Sequence, residues 1–269
     1  MFINTNVGAL NAHRNLTANN TAMNKTMEKL SSGYRINRAA DDAAGLAISE
    51  NMRYQINGMK QAQRNANDGI SLIQTAEGAL TEVHAMLQRL NTLANQAKNG
   101  TYTAADRSKI QLEVSALKLE ISNISATTKF NGNNLLNATS KIEFQTGVEK
   151  GTTISVNKAN TGLVSLGIKD IKVATVTNAG SAISAISGAL EKVSKNRAQF
   201  GAVQNRLEHT INNLGVNIEN LSAAHSRIKD ADMAEEMTSF TKNQILVQAG
   251  TSMLAQANSV PQNVLKLLG

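Results

Sequence analysis

The 269-residue chain contains no cysteine, no tryptophan and one proline, and aromatic residues make up only 3% of it. Without cysteine there are no disulfides and no thiolate metal sites. So few aromatics exclude a bulky globular core and an aromatic-lined ligand pocket, which argues against an enzyme. A single proline, where ordinary usage would give about 5%, leaves long stretches free of the residue that breaks helices. No run approaches the ~20 apolar residues of a membrane-spanning helix, so no membrane insertion is expected. Met1 to Val7 lacks the basic and apolar regions of a cleavable signal, so export would have to read some other feature. The net charge is +7, but Lys and Arg are scattered among polar positions instead of forming a run. A basic helical bundle on nucleic acid would need a phosphate-tracking stripe, and none is visible.

What is present is periodicity. From Ile183 to Ile228 apolar residues recur at alternating steps of three and four: Ile183, Ile186, Leu190, Val193, Arg197, Phe200, Gln204, Leu207, Ile211, Leu214, Ile218, Leu221, His225, Ile228. All but Arg197, Gln204 and His225 are apolar, the mark of a sustained heptad seam. A helix of that span is about 70 Å long. A second seam of about 75 Å runs Ile48, Met52, Gln55, Met59, Ala62, Ala66, Gly69, Ile73, Ala76, Leu80, Val83, Leu87, Leu90, Ala94, Ala97. The column Leu72, Ala79, Met86, Leu93 widens it, as expected of a helix with more than one neighbour.

Asn99-Gly100 supplies a stop, since both residues tolerate the left-handed conformation that ends helices. Thr103 to Asp106 resembles a capping box with Asp in place of Glu. A shorter seam then follows through Ile110, Val114, Leu117, Ile121 and Ile124, turned back by the short connection. After Phe130-Asn131-Gly132 the pattern becomes alternating. Lys141–Thr146 and Thr152–Val156 read as a hairpin around Gly147 to Gly151, and Ile171–Thr177 reads as another strand. The expected fold class is mainly α: a long antiparallel coiled-coil-like bundle with a small β region, and a terminal helical hairpin made by both chain ends.

Those ends differ from the bundle. Leu16, Met23, Met27, Leu30 and Tyr34 make one partial seam, and Ile3, Val7 and Leu10 another that is out of phase. In the C-terminal segment Met233, Met237, Phe240 and Val247 share a face, while Ile245, Leu246, Ala249 and Met253 lie off it. Such thin stripes make an isolated helix pair marginal in water. The ends are expected to order only where neighbouring copies cover Leu16, Met23, Met27, Leu30, Phe240, Val247 and Leu254.

Catalytic readings are weak. Ser31-Ser32-Gly33 and Asp41-Asp42 fit the end of one helix and the start of the next better than a nucleophile with paired acids. His13, His84, His209 and His225 are far apart and form no metal-binding pair. His225 reads as a polar pin of register in its seam. Arg197 and Gln204 face either a neighbouring subunit or solvent.

Several stretches resemble bacterial flagellin closely: Leu30 to Ile48, Arg64 to Leu80, Gly201 to Thr210, and the tail from Met253 to Asn258 and from Val264 to Leu268. The resemblance covers both halves in the right order. It implies a subunit that self-assembles into the flagellar filament for swimming motility, with no catalysis and no cofactor. It implies a terminal inner domain from residues 1–40 plus 231–269 and an outer helical rod from 41–230, with the β region at about 141–180 and no separate outer domain. It further implies secretion through the flagellar type III apparatus to an extracellular filament, an export chaperone on the C-terminal segment, and contact with filament cap and hook-associated proteins. The alternative within the superfamily is a hook–filament junction protein. Finally, Gln88 to Gln96 resembles the segment recognised by the host Toll-like receptor, which by that match implies contacts at Gln88, Arg89 and Leu93, with Glu113 on the adjoining helix. Asn91 and Thr92 stand where the family often has charged residues.

Overall fold

The computed structural model describes the backbone of residues 5–268 and the side chains of residues 5–259. Ile3 and the side chains of the Val264–Leu268 tail therefore lie outside the described residues. In chain order the elements are α1 (Val7–Ser32), α2 (Ala43–Lys98), α3 (Ala104–Thr127), β1 (Lys129–Phe130), β2 (Asn133–Asn134), β3 (Lys141–Gln145), β4 (Thr153–Asn157), α4 (Leu163–Leu166), α5 (Val176–Lys229) and α6 (Met233–Leu268). The chain divides into two compact units, residues 1–56 with 219–269 and residues 57–218. Helices α2 and α5 contribute to both.

The first unit is built on α1 and α6, which pack antiparallel. Asn6 begins α1 by accepting from the Ala9 N–H at 3.1 Å, and its own amide donates to the Ala257 carbonyl at 2.8 Å. Midway, Gly250 brings α6 so close that a β-carbon there would lie 3.3 Å from Leu16 Cδ1. At the other end Lys29 meets Glu236 at 2.7 Å. Helix α1 stops at Gly33, whose φ of 73° is left-handed and whose N–H reaches the Lys29 carbonyl. Asp42 starts α2 by accepting from the Gly45 N–H at 2.8 Å. Asp232 starts α6 in the same way through the Ala234 and Glu235 amides, with two acids in the first turn where the helix dipole favours them.

In the second unit α2, α3 and α5 share a core with the irregular stretch between α3 and α5. Ile73, Leu80, Leu87 and Leu90 of α2 lie in one buried cluster with Val114 and Ile121 of α3 and Val193, Phe200 and Leu207 of α5. On α5 one heptad series, Ala179, Ile186, Val193, Phe200, Leu207 and Leu214, is buried throughout. The companion series Ile183, Leu190, Arg197, Gln204, Ile211 is only half-buried. Polar residues are tolerated there because their heads reach the margin of the core. Arg197 resolves to an intramolecular partner, Glu77 of α2, at 3.5 Å.

The hairpin at 141–157 forms as the alternation predicts, with Ile142 opposite Val156 and Phe144 opposite Ile154. Ile154 and Val156 are buried, and Gly151 turns the chain with a φ of 96°. Gly69 lets the hairpin and α5 approach α2, since a β-carbon there would meet Leu207 and Phe144 at 3.2 Å.

Four expectations are corrected. Residues 171–177 form no strand: Ile171 and Val173 are buried, but the Val173 N–H donates to Gln111 Oε1 at 2.6 Å and Lys118 donates to the carbonyls of Lys169 and Ile171. Side chains of α3 satisfy that backbone, so no ladder is needed. Helix α5 begins seven residues before Ile183, because Thr175 Oγ1 accepts from the Asn178 N–H. Neither Asn99 nor Gly100 is left-handed; the end of α2 is held instead by Arg107, which donates to the carbonyls of Ala97 at 2.8 Å and Asn99 at 3.1 Å. Ile48, taken as the first seam residue of α2, is exposed.

Candidate assembly surfaces

Three surfaces carry the residues singled out from the sequence. The first is the α2–α3 corner. The capping box at Thr103 and Asp106 forms in both directions and aims α3 back along α2. That register brings Arg89 of α2 to Glu113 of α3, with Nε and Nη2 at 2.8 and 2.7 Å from Oε1. Gln88 sits one turn from His84, side chain to side chain at 3.1 Å. Gln88 and Arg89 are exposed, and Glu113 is half-buried beside Arg89. Leu93 does not join them. It is 2% exposed and packs in the core, which removes it from the surface contacts implied by the resemblance.

The second surface is the α1–α6 pair. No residue of α1 is fully buried. Leu16, Met23, Leu30, Phe240, Val247 and Leu254 are half-buried, whereas Met27 is exposed. Val7 and Leu10 of α1, and Ile245, Leu246 and Met253 of α6, are exposed as well. These were visible in the sequence as residues out of phase with the main stripe. A residue off the stripe of a two-helix pair must face away from the partner helix.

The third is the crossing of residues 33–42 with the end of α5. Arg35 N–H donates to the Lys229 carbonyl at 2.7 Å, Ala231 N–H to the Gly33 carbonyl at 2.9 Å, and the Arg35 guanidinium to the Ile228 carbonyl at 2.7 Å. Lys229 closes the junction, 2.9 Å from Glu50 and 5.3 Å above the Tyr34 ring. The Arg38 and Asn37 amides, with the Lys25 ammonium, hold the Asp41 carboxyl below its ordinary range. Glu50 is lowered chiefly by its hydrogen bond to Lys229. His225, the seam histidine, keeps a buried Nε2 without a partner.

Among the described residues, no group of three or more His, Asp or Glu side chains could hold a metal ion. Seamed helices of more than fifty residues, terminal helices with apolar faces left open, and a hydrogen-bonded crossing of residues 33–42 with the end of α5 define a helical structural protein.

Comparison with known proteins places this class in a family. Residues 3–141 match the bacterial flagellin N-terminal helical region, and residues 183–268 match the bacterial flagellin C-terminal helical region. The chain is 51% identical to a flagellin of Bacillus subtilis (strain 168) and 52% identical to a flagellin of Halalkalibacterium halodurans, in each case over the whole of both chains. The crystal structure of Bacillus cereus flagellin, 34% identical, aligns with a TM-score of 0.52 over 56% of this chain and 88% of that one. The chain belongs to the bacterial flagellin family.

Proposed function

We propose that this chain is the repeating structural subunit of a bacterial flagellar filament and acts by polymerising with copies of itself. The observation that carries the reading is the open apolar surface of α1 and α6. Val7, Leu10, Ile245, Leu246 and Met253 are exposed on a helix pair with no fully buried side chain among its described residues, and such a surface is stable only when something covers it. Curated relatives that share about half of its residues over full length are named flagellins, which favours this reading over the hook–filament junction alternative.

Residues 1–40 with 231–269 would form the inner domain of the filament and residues 41–230 its outer rod. The mature subunit would be secreted through the type III apparatus with a chaperone on its C-terminal segment, and would meet cap and hook-associated proteins at the ends of an extracellular filament. The polar patch of Gln88, Arg89 and Glu113 would be the part open to a host Toll-like receptor. Truncation tests the central reading. Chains lacking residues 1–30 or 240–269 should remain soluble and helical yet form no filaments on seeding, as seen by electron microscopy. Normal filaments from either truncated chain would overturn it.

A further inference from the structure

The dipeptide Asn-Gly occurs three times in the chain, at Asn57-Gly58, Asn99-Gly100 and Asn131-Gly132. The first lies inside α2, where the Gly58 N–H is one of the helix donors. The third is the turn between β1 and β2, fixed on both sides by the pairing of Phe130 with Asn133. The second stands between α2 and α3 with both residues exposed, and its surroundings differ in kind.

The Asn99 side chain folds back over the backbone that follows it, its Oδ1 accepting from the Thr101 N–H at 3.3 Å. The side-chain amide carbon is thereby held over the peptide that joins Asn99 to Gly100. The N–H of that peptide, on Gly100, has no backbone acceptor among the described residues. Its carbonyl, on Asn99, accepts from the Arg107 guanidinium at 3.1 Å and from the Tyr102 N–H at 3.5 Å. A cation on a peptide carbonyl draws charge from the peptide nitrogen and eases loss of its proton. The Thr101 donor is aimed where negative charge develops when the side-chain carbonyl is attacked. The approach is open as well, since a β-carbon on Gly100 would have no neighbour within 4 Å.

We propose that Asn99-Gly100 is a site of spontaneous covalent modification, in which the Gly100 nitrogen closes on the Asn99 side chain. The deprotonated nitrogen attacks Cγ and forms a C–N bond. The side-chain nitrogen leaves as ammonia, taking up the proton that Gly100 gave, and a succinimide ring remains. Water then opens the ring at either carbonyl. Opening at Cγ gives aspartate; opening at the former main-chain carbonyl gives isoaspartate, whose main chain runs through the side chain. Overall, water is taken up and ammonia released. Either product adds a carboxylate at the C-terminal end of α2, where the helix dipole opposes it. Isoaspartate also inserts a methylene between the two carbonyls that Arg107 holds, those of Ala97 and Asn99, and so loosens the corner.

The test follows the folded full-length chain in mildly alkaline buffer, by peptide mass spectrometry with chromatography that resolves the two products. Asn99 should convert at least about tenfold faster than Asn131, with Asn57 unchanged, and should give aspartate and isoaspartate together. In denaturant the three sites should convert alike. Gly100→Ala, for which there is room, should slow conversion at least about tenfold and leave the melt unchanged. Arg107→Gln should slow it too, although it frees the turn; were Arg107 only a clamp, the freer turn would convert faster. Converted chains, separated by their lower net charge, should exchange the Asp106 amide faster than unconverted ones. Equal conversion of the three sites in the folded chain would overturn the proposal, as would an unaltered rate in Gly100→Ala. Aspartate without isoaspartate would overturn it also, because the side chain would then be hydrolysed directly. Faster conversion of Arg107→Gln would overturn the role of its cation, and unchanged exchange in converted chains the loosening of the corner.

Discussion

Leu214 and Arg89 both sit on long helices of the second unit, yet their environments separate packing from surface chemistry. Leu214 is 7% exposed on the buried heptad series of α5, bordering an open groove lined by Met59 and Ile154. Leu214→Ala should cost about 2–3 kcal/mol, the low end for a buried leucine, because a site beside a groove relaxes more readily than a closed one. Arg89 makes an ion pair on an exposed surface, where such pairs contribute little. Arg89→Ala should shift the monomer melt by no more than about 0.5 kcal/mol while weakening receptor signalling. Thermal melts of the two variants decide the assignment of faces; equal destabilisation would contradict it. Leu93 shows why the polar corner of α2 and α3 was only partly legible: it lies on the column that widens the stripe of α2, and that stripe packs in the core. Asp41 and Glu50 give the junction a pH dependence of known sign. Both carboxyls are lowered in the folded state, so their contribution is present above the unfolded pKa and is lost as pH falls through the folded one. Protection of the Asn37 and Arg38 amides should fall on acidification below about pH 4, and Asp41→Asn should flatten that profile. A profile unchanged by the substitution would place the acid sensitivity elsewhere.

At the scale of elements, caps and seams were the legible features. The capping box at Thr103, the left-handed stop at Gly33 and the start at Asp42 each occur as the residue types require. Thr103→Ala should remove about 1 kcal/mol and accelerate exchange of the Asp106 amide; unchanged exchange would show that Arg107 alone holds the corner. Illegible features were those settled by long-range partners. The 171–177 stretch alternates like a strand, but its backbone is satisfied by Gln111 and Lys118 from a helix more than fifty residues earlier. The turn at Asn131-Gly132, with both residues at positive φ, joins two-residue strands too short to register as alternation.

For the whole molecule, stability is unevenly distributed by design of the sequence. The second unit has a continuous core of leucine, isoleucine and valine, whereas α1 contributes no buried residue to the first. Periodicity made this contrast visible in advance, because a thin stripe cannot hide enough apolar area to hold a helix pair. The proposed function requires the terminal helices to be uncovered in the monomer and covered by neighbouring copies in the polymer. Hydrogen exchange on dilute monomer and on assembled filaments measures this directly. The account predicts strong protection within 57–124 and 183–218 in both states, with residues 7–33 and 235–259 exchanging freely in the monomer and protected only in the filament. Equal protection of those terminal helices in dilute monomer would contradict it.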